Sequence, residues 1–197
     1  MRDVASVLVL GASGRLGAML RRYWPDDVQA MWQFRRAVDH RDAVIFDPLG
    51  RDAALARCDV VVGLAGCVGG SDAALRSNTD LALAAVDLGA KLGARRVFLS
   101  SSAAVYGHQT SPLVEDGPTR PQSPYGAEKL RMEGAALAHA QACGVAVTVL
   151  RIGNVAGADA LLGQAGLGQA GLGKAGLGQA GLGQAGTEQA GLGAVML

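Results

Sequence analysis

The chain has 197 residues, half of them hydrophobic and 18% charged, with a formal net charge of +1. That suffices for one soluble globular domain with a sizeable core, and it supplies no electrostatic footprint for nucleic acid or an anionic membrane. No stretch reaches transmembrane length, the apolar run ending at Leu10 is too short for a signal peptide, and Cys58, Cys67 and Cys143 are odd in number without Cys-x-x-Cys spacing. The cysteines therefore read as thiols in a reducing compartment, not as a disulfide framework or zinc site, and a cytoplasmic protein without a metal is expected.

Residues 4–10 form a β-branched and leucine-rich run, a candidate buried strand. Gly11-Ala12-Ser13-Gly14-Arg15-Leu16-Gly17 follows at once, and residues 16–23 read as a helix that stops before Pro25. Strand, glycine loop and helix together form the context of a phosphate-binding turn. Gly11 permits the tight turn, Gly14 lets a pyrophosphate approach the backbone, and Gly17 lets the helix pack closely. The amides at the helix start would face the anion.

Residues 28–34 are a second strand, blurred by Gln29 and Gln33, and Arg35 and Arg36 follow it. An acid near this point of a dinucleotide fold bonds the ribose 2′-hydroxyl of NAD, whereas arginine accommodates the 2′-phosphate of NADP. The pair therefore reads as an NADP preference, or else as solvated loop arginines. Residues 43–46 give a third strand closed by Asp47-Pro48; Asp47 either contacts the adenine end of a cofactor or caps the turn. Residues 49–58 read as a short helix and 59–64 as a fourth strand running into Ala65-Gly66. Small residues at such a strand end leave room for a ligand. Residues 71–92 look helical, with Asn78 bonding backbone or a partner across the sheet, or else solvated.

Residues 97–99 form a fifth strand, ending in Ser100-Ser101-Ser102. Residues 108–122 are loop, broken by Pro112, Gly117, Pro118 and Pro121. Ser123 and Pro124 suit the N-cap and first position of a helix reaching Cys143. A sixth strand, 145–150, leads to Arg151-Ile152-Gly153-Asn154. The alternation predicts an α/β fold, a Rossmann-like doubly wound parallel sheet. Residues 1–157 form this domain and residues 158–197 a low-complexity tail. From Leu162 the tail repeats LGQAG-like units, whose two glycines disfavour a helix. It reads as mostly disordered, the other reading being a turn array that packs its leucines.

Tyr125 and Lys129 stand four residues apart, on one face of the helix that begins at Pro124. The chain has only three lysines, Lys91, Lys129 and Lys174. An ammonium beside a phenol favours the phenolate, lowers its pKa and makes a proton-transfer group. Taken alone, a Tyr-x-x-x-Lys pair reads first as an ordinary exposed helix pair.

Together these stretches resemble a family. GASGRLG at 11–17 with its strand, the Asp47 turn, LAG at 64–66, SNTD around Asn78, SSSAAVYG at 100–107, PQSPYGAEKL at 121–130 and LRIGN at 150–154 resemble the extended short-chain dehydrogenase/reductases. Within them the likeness is to the NAD-dependent epimerase/dehydratase group, especially the UDP-galactose 4-epimerase type, and it covers residues 4–154. The resemblance implies a site of Ser102, Tyr125 and Lys129, with Tyr125 as acid/base. Lys129 would lower the tyrosine pKa and bond the nicotinamide ribose, and Ser102 would hold the substrate oxygen. Gly11, Ser13, Gly14, Arg15, Leu16, Gly17, Arg35, Arg36, Asp47, Leu64, Ala65, Gly66, Asn78, Tyr125 and Lys129 would line the cofactor, NADP or NAD with NADP favoured. Ser102 and Asn154 would touch the substrate, a small molecule of the nucleotide-sugar class, and a homodimer is the candidate assembly. Dehydratases of this group carry an Asp-Glu pair where this chain has Ala103 and Ala104, so elimination of water is not expected. The family's substrate-binding portion gives way here to the repeat tail. The expected function is an oxidoreductase or epimerase acting by hydride transfer, the alternative a cofactor-binding module without turnover.

Overall fold

Strand β1 (Ser6–Leu10) is apolar and buried at every position after Ser6, which suits a strand covered on both faces. The computed structural model describes residues 6–50, 55–153 and 155. Along β1 the side chains alternate: Leu8 and Leu10 enter the larger core, Val7 and Val9 the smaller. β2 (Gln29–Phe34) and β4 (Val60–Gly63) flank β1 in parallel. β3 (Ala43–Ile45) extends one side; β5 (Arg96–Ser102) and β6 (Val147–Ile152) extend the other, again in parallel. The order β3-β2-β1-β4-β5-β6 is the Rossmann order, and it reverses between β1 and β4. Ligands of such sheets bind at that reversal, beyond the carboxyl ends of the strands.

Three α-helices are described: α1 (Arg15–Arg22), α2 (Asp72–Leu92) and α3 (Pro124–Cys143). α2 and α3 lie side by side and cover the larger core with Ala82, Ala85, Val86, Met132, Ala136 and Ala140. Gly89 lets α2 approach the sheet closely: a Cβ there would collide with Cγ2 of Val97 on β5. Beneath the two helices Leu8, Val61 and Val97 have no exposed surface, and burying each contributes about 1.5–3 kcal/mol. On the opposite face Trp24 meets Trp32 edge to face, with ring centroids 5.1 Å apart.

The elements match the sequence reading, with shifted ends. β5 runs on through Ser100, Ser101 and Ser102, because β6 pairs with it that far. β6 starts at Val147, not residue 145, because the amide of Val145 still closes the end of α3 on the carbonyl of Ala140 at 3.1 Å. The helix expected over 49–58 falls partly outside the described residues; residues 49, 50 and 55–58 are turn, bend or irregular. The repeat tail and Asn154 also lie outside the described residues. No described helix is long and apolar enough to cross a membrane.

Gln33, which blurred the second strand in the sequence, is buried there (2% exposed) and ties β2 to the segments that leave β1 and β3. Its Oε1 accepts the amide of Gly11 at 2.9 Å, and its Nε2 donates to the carbonyl of Phe46 at 2.6 Å. Gln33→Leu would leave both backbone groups without that partner. Each such orphan costs about 1–3 kcal/mol, so the variant is expected to unfold at clearly lower urea, and an unchanged midpoint would refute this role.

Candidate functional site

The turn after β1 is set by Gly11, whose φ of +84° suits glycine. Space matters equally. A Cβ on Gly11 would stand 2.6 Å from the amide nitrogen of Ala65, and one on Gly17 would stand 2.5 Å from the carbonyl oxygen of Gly11. The amide of Gly14 closes the turn on that carbonyl at 3.0 Å. Ser13, Gly14 and Arg15 are exposed, and Leu16 is partly so. No side chain caps α1, and its first turn carries no acid. α2 and α3, by contrast, are each capped by a serine, Ser71 and Ser123. The uncapped amides at the start of α1 are suited to an anion.

Beyond β4, Leu64, Ala65 and Gly66 run between this turn and α3. Asn78 holds that segment from α2, where it is 1% exposed. Its Nδ2 donates to the carbonyls of Cys67 at 3.0 Å and Leu75 at 2.8 Å, and its Oδ1 accepts the amide of Cys67 at 3.1 Å. A Cβ on Gly66 would collide with Asn78 Oδ1 and lie 3.8 Å from Nζ of Lys129. Asn78 is thus committed to shaping the loop. Cys67, an incidental thiol by its sequence, donates through Sγ to the carbonyl of Ala74 at 2.9 Å.

Ser102, Tyr125 and Lys129 come together at the end of β5. Ser102 Oγ accepts the amide of Ala104 at 3.2 Å, capping a 3₁₀ turn, Ala103–Val105. Gly126 lets α3 start against that turn: a Cβ there would stand 2.6 Å from the carbonyl oxygen of Ala104. Lys129 is 4% exposed. Its Nζ donates to the carbonyl of Ser100 at 2.9 Å and sits 5.9 Å from the Tyr125 ring centroid. Burial holds the lysine pKa below its ordinary value.

One sequence expectation is corrected here. The Tyr125 pKa is raised, not lowered: burial penalises the phenolate, and a hydrogen bond with Ser102 opposes it only in part. Lys129, over the ring at 5.9 Å from its centroid and bonded to the carbonyl of Ser100, does not offset that burial.

Polar contacts behind the site fix α3. Thr79 Oγ1 of α2 donates to Glu128 at 2.7 Å, and Arg131 grips the same carboxylate with two bonds of 2.8 Å. Glu133 accepts from Ser101 of β5 and pairs with Arg151 of β6, Nη2 to Oε2 at 2.8 Å. Arg151 also donates through Nη1 to Tyr106 Oη and to the carbonyl of Glu115, each at 2.8 Å. The order of these residues in the chain carries no sign of this network.

Arg35 and Arg36 are exposed just past β2. Asp47 caps its turn, its Oδ1 accepting the amide of Leu49 at 3.1 Å.

The NAD dependent epimerase/dehydratase family matches residues 7–171 of this chain. A UDP-glucose 4-epimerase of Corynebacterium glutamicum is 41% identical over 88 residues, which is 44% of this chain and 27% of that protein. A UDP-glucose 4-epimerase of Azospirillum brasilense is 37% identical over 128 residues, 61% of this chain and 36% of that protein. Among solved structures, MoeE5 in complex with UDP-glucuronic acid and NAD superposes with a TM-score of 0.63 at 27% identity, over 74% of this chain and 52% of that one. The chain thus spans about a third of the curated relatives it matches, and about half of that solved structure.

Proposed function

Since the chain belongs to the NAD dependent epimerase/dehydratase family, we propose that it binds a nicotinamide dinucleotide across the β1/β4 crevice and exchanges hydride with a hydroxyl or carbonyl carbon of a nucleotide sugar. The observation that carries this reading is the continuity of the site. The segment 64–66 touches the Gly11 turn at one end and approaches Lys129 at the other. A pyrophosphate cradle and a Ser-Tyr-Lys group thus share one crevice.

Gly11, Ser13, Gly14, Arg15, Leu16 and Gly17 would hold the pyrophosphate, with the uncapped start of α1 facing it. Leu64, Ala65 and Gly66 would pass along the cofactor, and Asp47 would stand at its adenine end. Lys129 would bond the nicotinamide ribose, with Asn78 keeping its loop in shape. The cofactor, when bound, supplies hydride exchange with the substrate carbon. Tyr125, with its raised pKa, holds its proton at neutral pH. Its natural act is donation to a substrate carbonyl oxygen, with Ser102 orienting that oxygen; in the reverse direction the phenolate takes the proton back. Asn154 would add a substrate contact. A nucleotide sugar is favoured because MoeE5 binds UDP-glucuronic acid and the curated relatives are UDP-glucose 4-epimerases. A cytoplasmic location belongs to the same reading, supported by three free cysteines, and a homodimer remains the proposed assembly.

The test is calorimetric titration of the purified chain with NAD(H) and NADP(H), then turnover assays with UDP-sugars. Absence of cofactor binding would refute the reading. Arg35 and Arg36, exposed just past β2, would accommodate a ribose 2′-phosphate and so favour NADPH over NADH. Arg35→Ala is expected to weaken NADPH binding about tenfold, the worth of one charge-assisted hydrogen bond, while sparing NADH. Equal losses for both cofactors would discard the preference.

A further inference from the structure

On the outer side of α2 and α3, away from the crevice, three side chains of metal-binding type converge. His139 and Cys143 are four apart on α3, so they share a face, and Asp87 of α2 faces them. The Asp87 carboxylate oxygen Oδ1 lies 2.6 Å from Nε2 of His139 and 3.9 Å from Sγ of Cys143, and that sulfur lies 3.6 Å from the same Nε2. The three donor atoms lie within 4.8 Å of one another.

The convergence is informative because both neighbours meet one ring nitrogen. A Cys-His-Asp proton relay would need the acid on one imidazole nitrogen and the thiol on the other. Here acid, thiol and imidazole instead surround a common point. We propose that Asp87, His139 and Cys143 form a zinc site that staples α2 to α3. Zinc takes thiolate, imidazole and carboxylate together at about 2.0–2.3 Å, in tetrahedral array, which places its donors roughly 3.3–3.7 Å apart. The two distances to sulfur are already near that range. The carboxylate–imidazole distance must open by less than about 1 Å, which a turn of the Asp87 side chain, 63% exposed, allows. The mixed N, O, S set favours zinc over magnesium or calcium. Three protein ligands leave a fourth position for water. The sequence conceals this site because Asp87 is 52 and 56 residues from its companions, and so the site departs from the expectation of no metal.

The test is titration of the full chain, stripped with chelator, with zinc ion alone by calorimetry, and with cobalt(II) by absorption. One zinc per chain is expected, with a thiolate-to-cobalt charge-transfer band. His139→Ala and Asp87→Asn should each weaken zinc binding at least tenfold. Cys143→Ser should abolish the charge-transfer band, and Cys58→Ser and Cys67→Ser should keep it. Zinc should raise the thermal midpoint of the wild type but not of His139→Ala, since a ligand stabilises only the fold that binds it. Far-ultraviolet circular dichroism of each metal-free variant checks that it is folded. No saturable binding, undiminished affinity in a folded His139→Ala, or a cobalt band surviving Cys143→Ser would each overturn the site and leave an ordinary His–Asp pair.

Discussion

Tyr125→Phe is expected to lower hydride transfer by a factor of about 10²–10⁴, the usual share of a positioned acid–base group, while cofactor affinity stays within about twofold. The asymmetry follows from what the substitution removes. The ring of Tyr125 is half-buried beside Lys129, and phenylalanine keeps that contact surface. Only the hydroxyl is lost, with its proton and its bond to Ser102. Lys129 keeps its bond to the carbonyl of Ser100, so the group proposed to meet the cofactor ribose stays in place. Single-turnover assays with a UDP-sugar, run beside calorimetric cofactor titration, separate the two effects. Turnover at the wild-type rate would remove Tyr125 from the mechanism; cofactor binding lost along with activity would make it a structural residue. The sign of its pKa shift adds a check. Because burial raises the tyrosine pKa, the proton-donating direction should hold its rate through neutral pH and fall only in alkali.

Glu133→Ala is expected to be the most destabilising single change near the site, by about 3–5 kcal/mol, the cost of leaving one partner of a buried ion pair alone. Glu133 has 7% of its side chain exposed and Arg151 24%, so the carboxylate is buried and solvent reaches the arginine only in part. Arg151 would lose the bonds from Nε and Nη2 to the carboxylate, and Ser101 would lose its acceptor. The arginine also holds Tyr106 and the carbonyl of Glu115, so the loop between β5 and α3 should loosen as well. Urea denaturation gives the loss directly, and hydrogen exchange over residues 108–122 reports the loop. A loss under about 1 kcal/mol would place the pair among weakly contributing surface bridges. Glu133→Gln, which keeps an acceptor for Ser101 but not the charge, should fall between the two.

Much of the site was legible because its parts are local. A strand, a glycine turn and a helix are consecutive in the chain, and Gly17 is needed for a contact within that turn, against Gly11, although Gly11 itself is also pressed by Ala65 of a distant segment. Tyr125 and Lys129 are likewise fixed by one helical turn, with Ser123 and Pro124 marking its start. The supporting residues were not legible. Gln33 in a strand reads as a defect until its two backbone partners, just past the ends of β1 and β3, are known. Glu128 and Glu133 look like the solvated face of a helix, yet both are buried, because α2 covers one and β5 and β6 meet the other.

By itself, the order of apolar runs, glycines and caps determined the parallel α/β sheet and the place of the crevice, because hydrophobic periodicity and backbone sterics act within a few residues. It also paired Tyr125 with Lys129. Only the tertiary structure decided the electrostatics of that pair. How far a phenol is desolvated depends on everything packed around it, and that packing raised the Tyr125 pKa where the local pairing alone predicted a fall. The same holds for the contacts that join distant segments, Glu133 with Arg151 and Asp87 with His139 and Cys143. Their partners meet because the sheet and the two long helices bring them together, and no spacing along the chain encodes that distance.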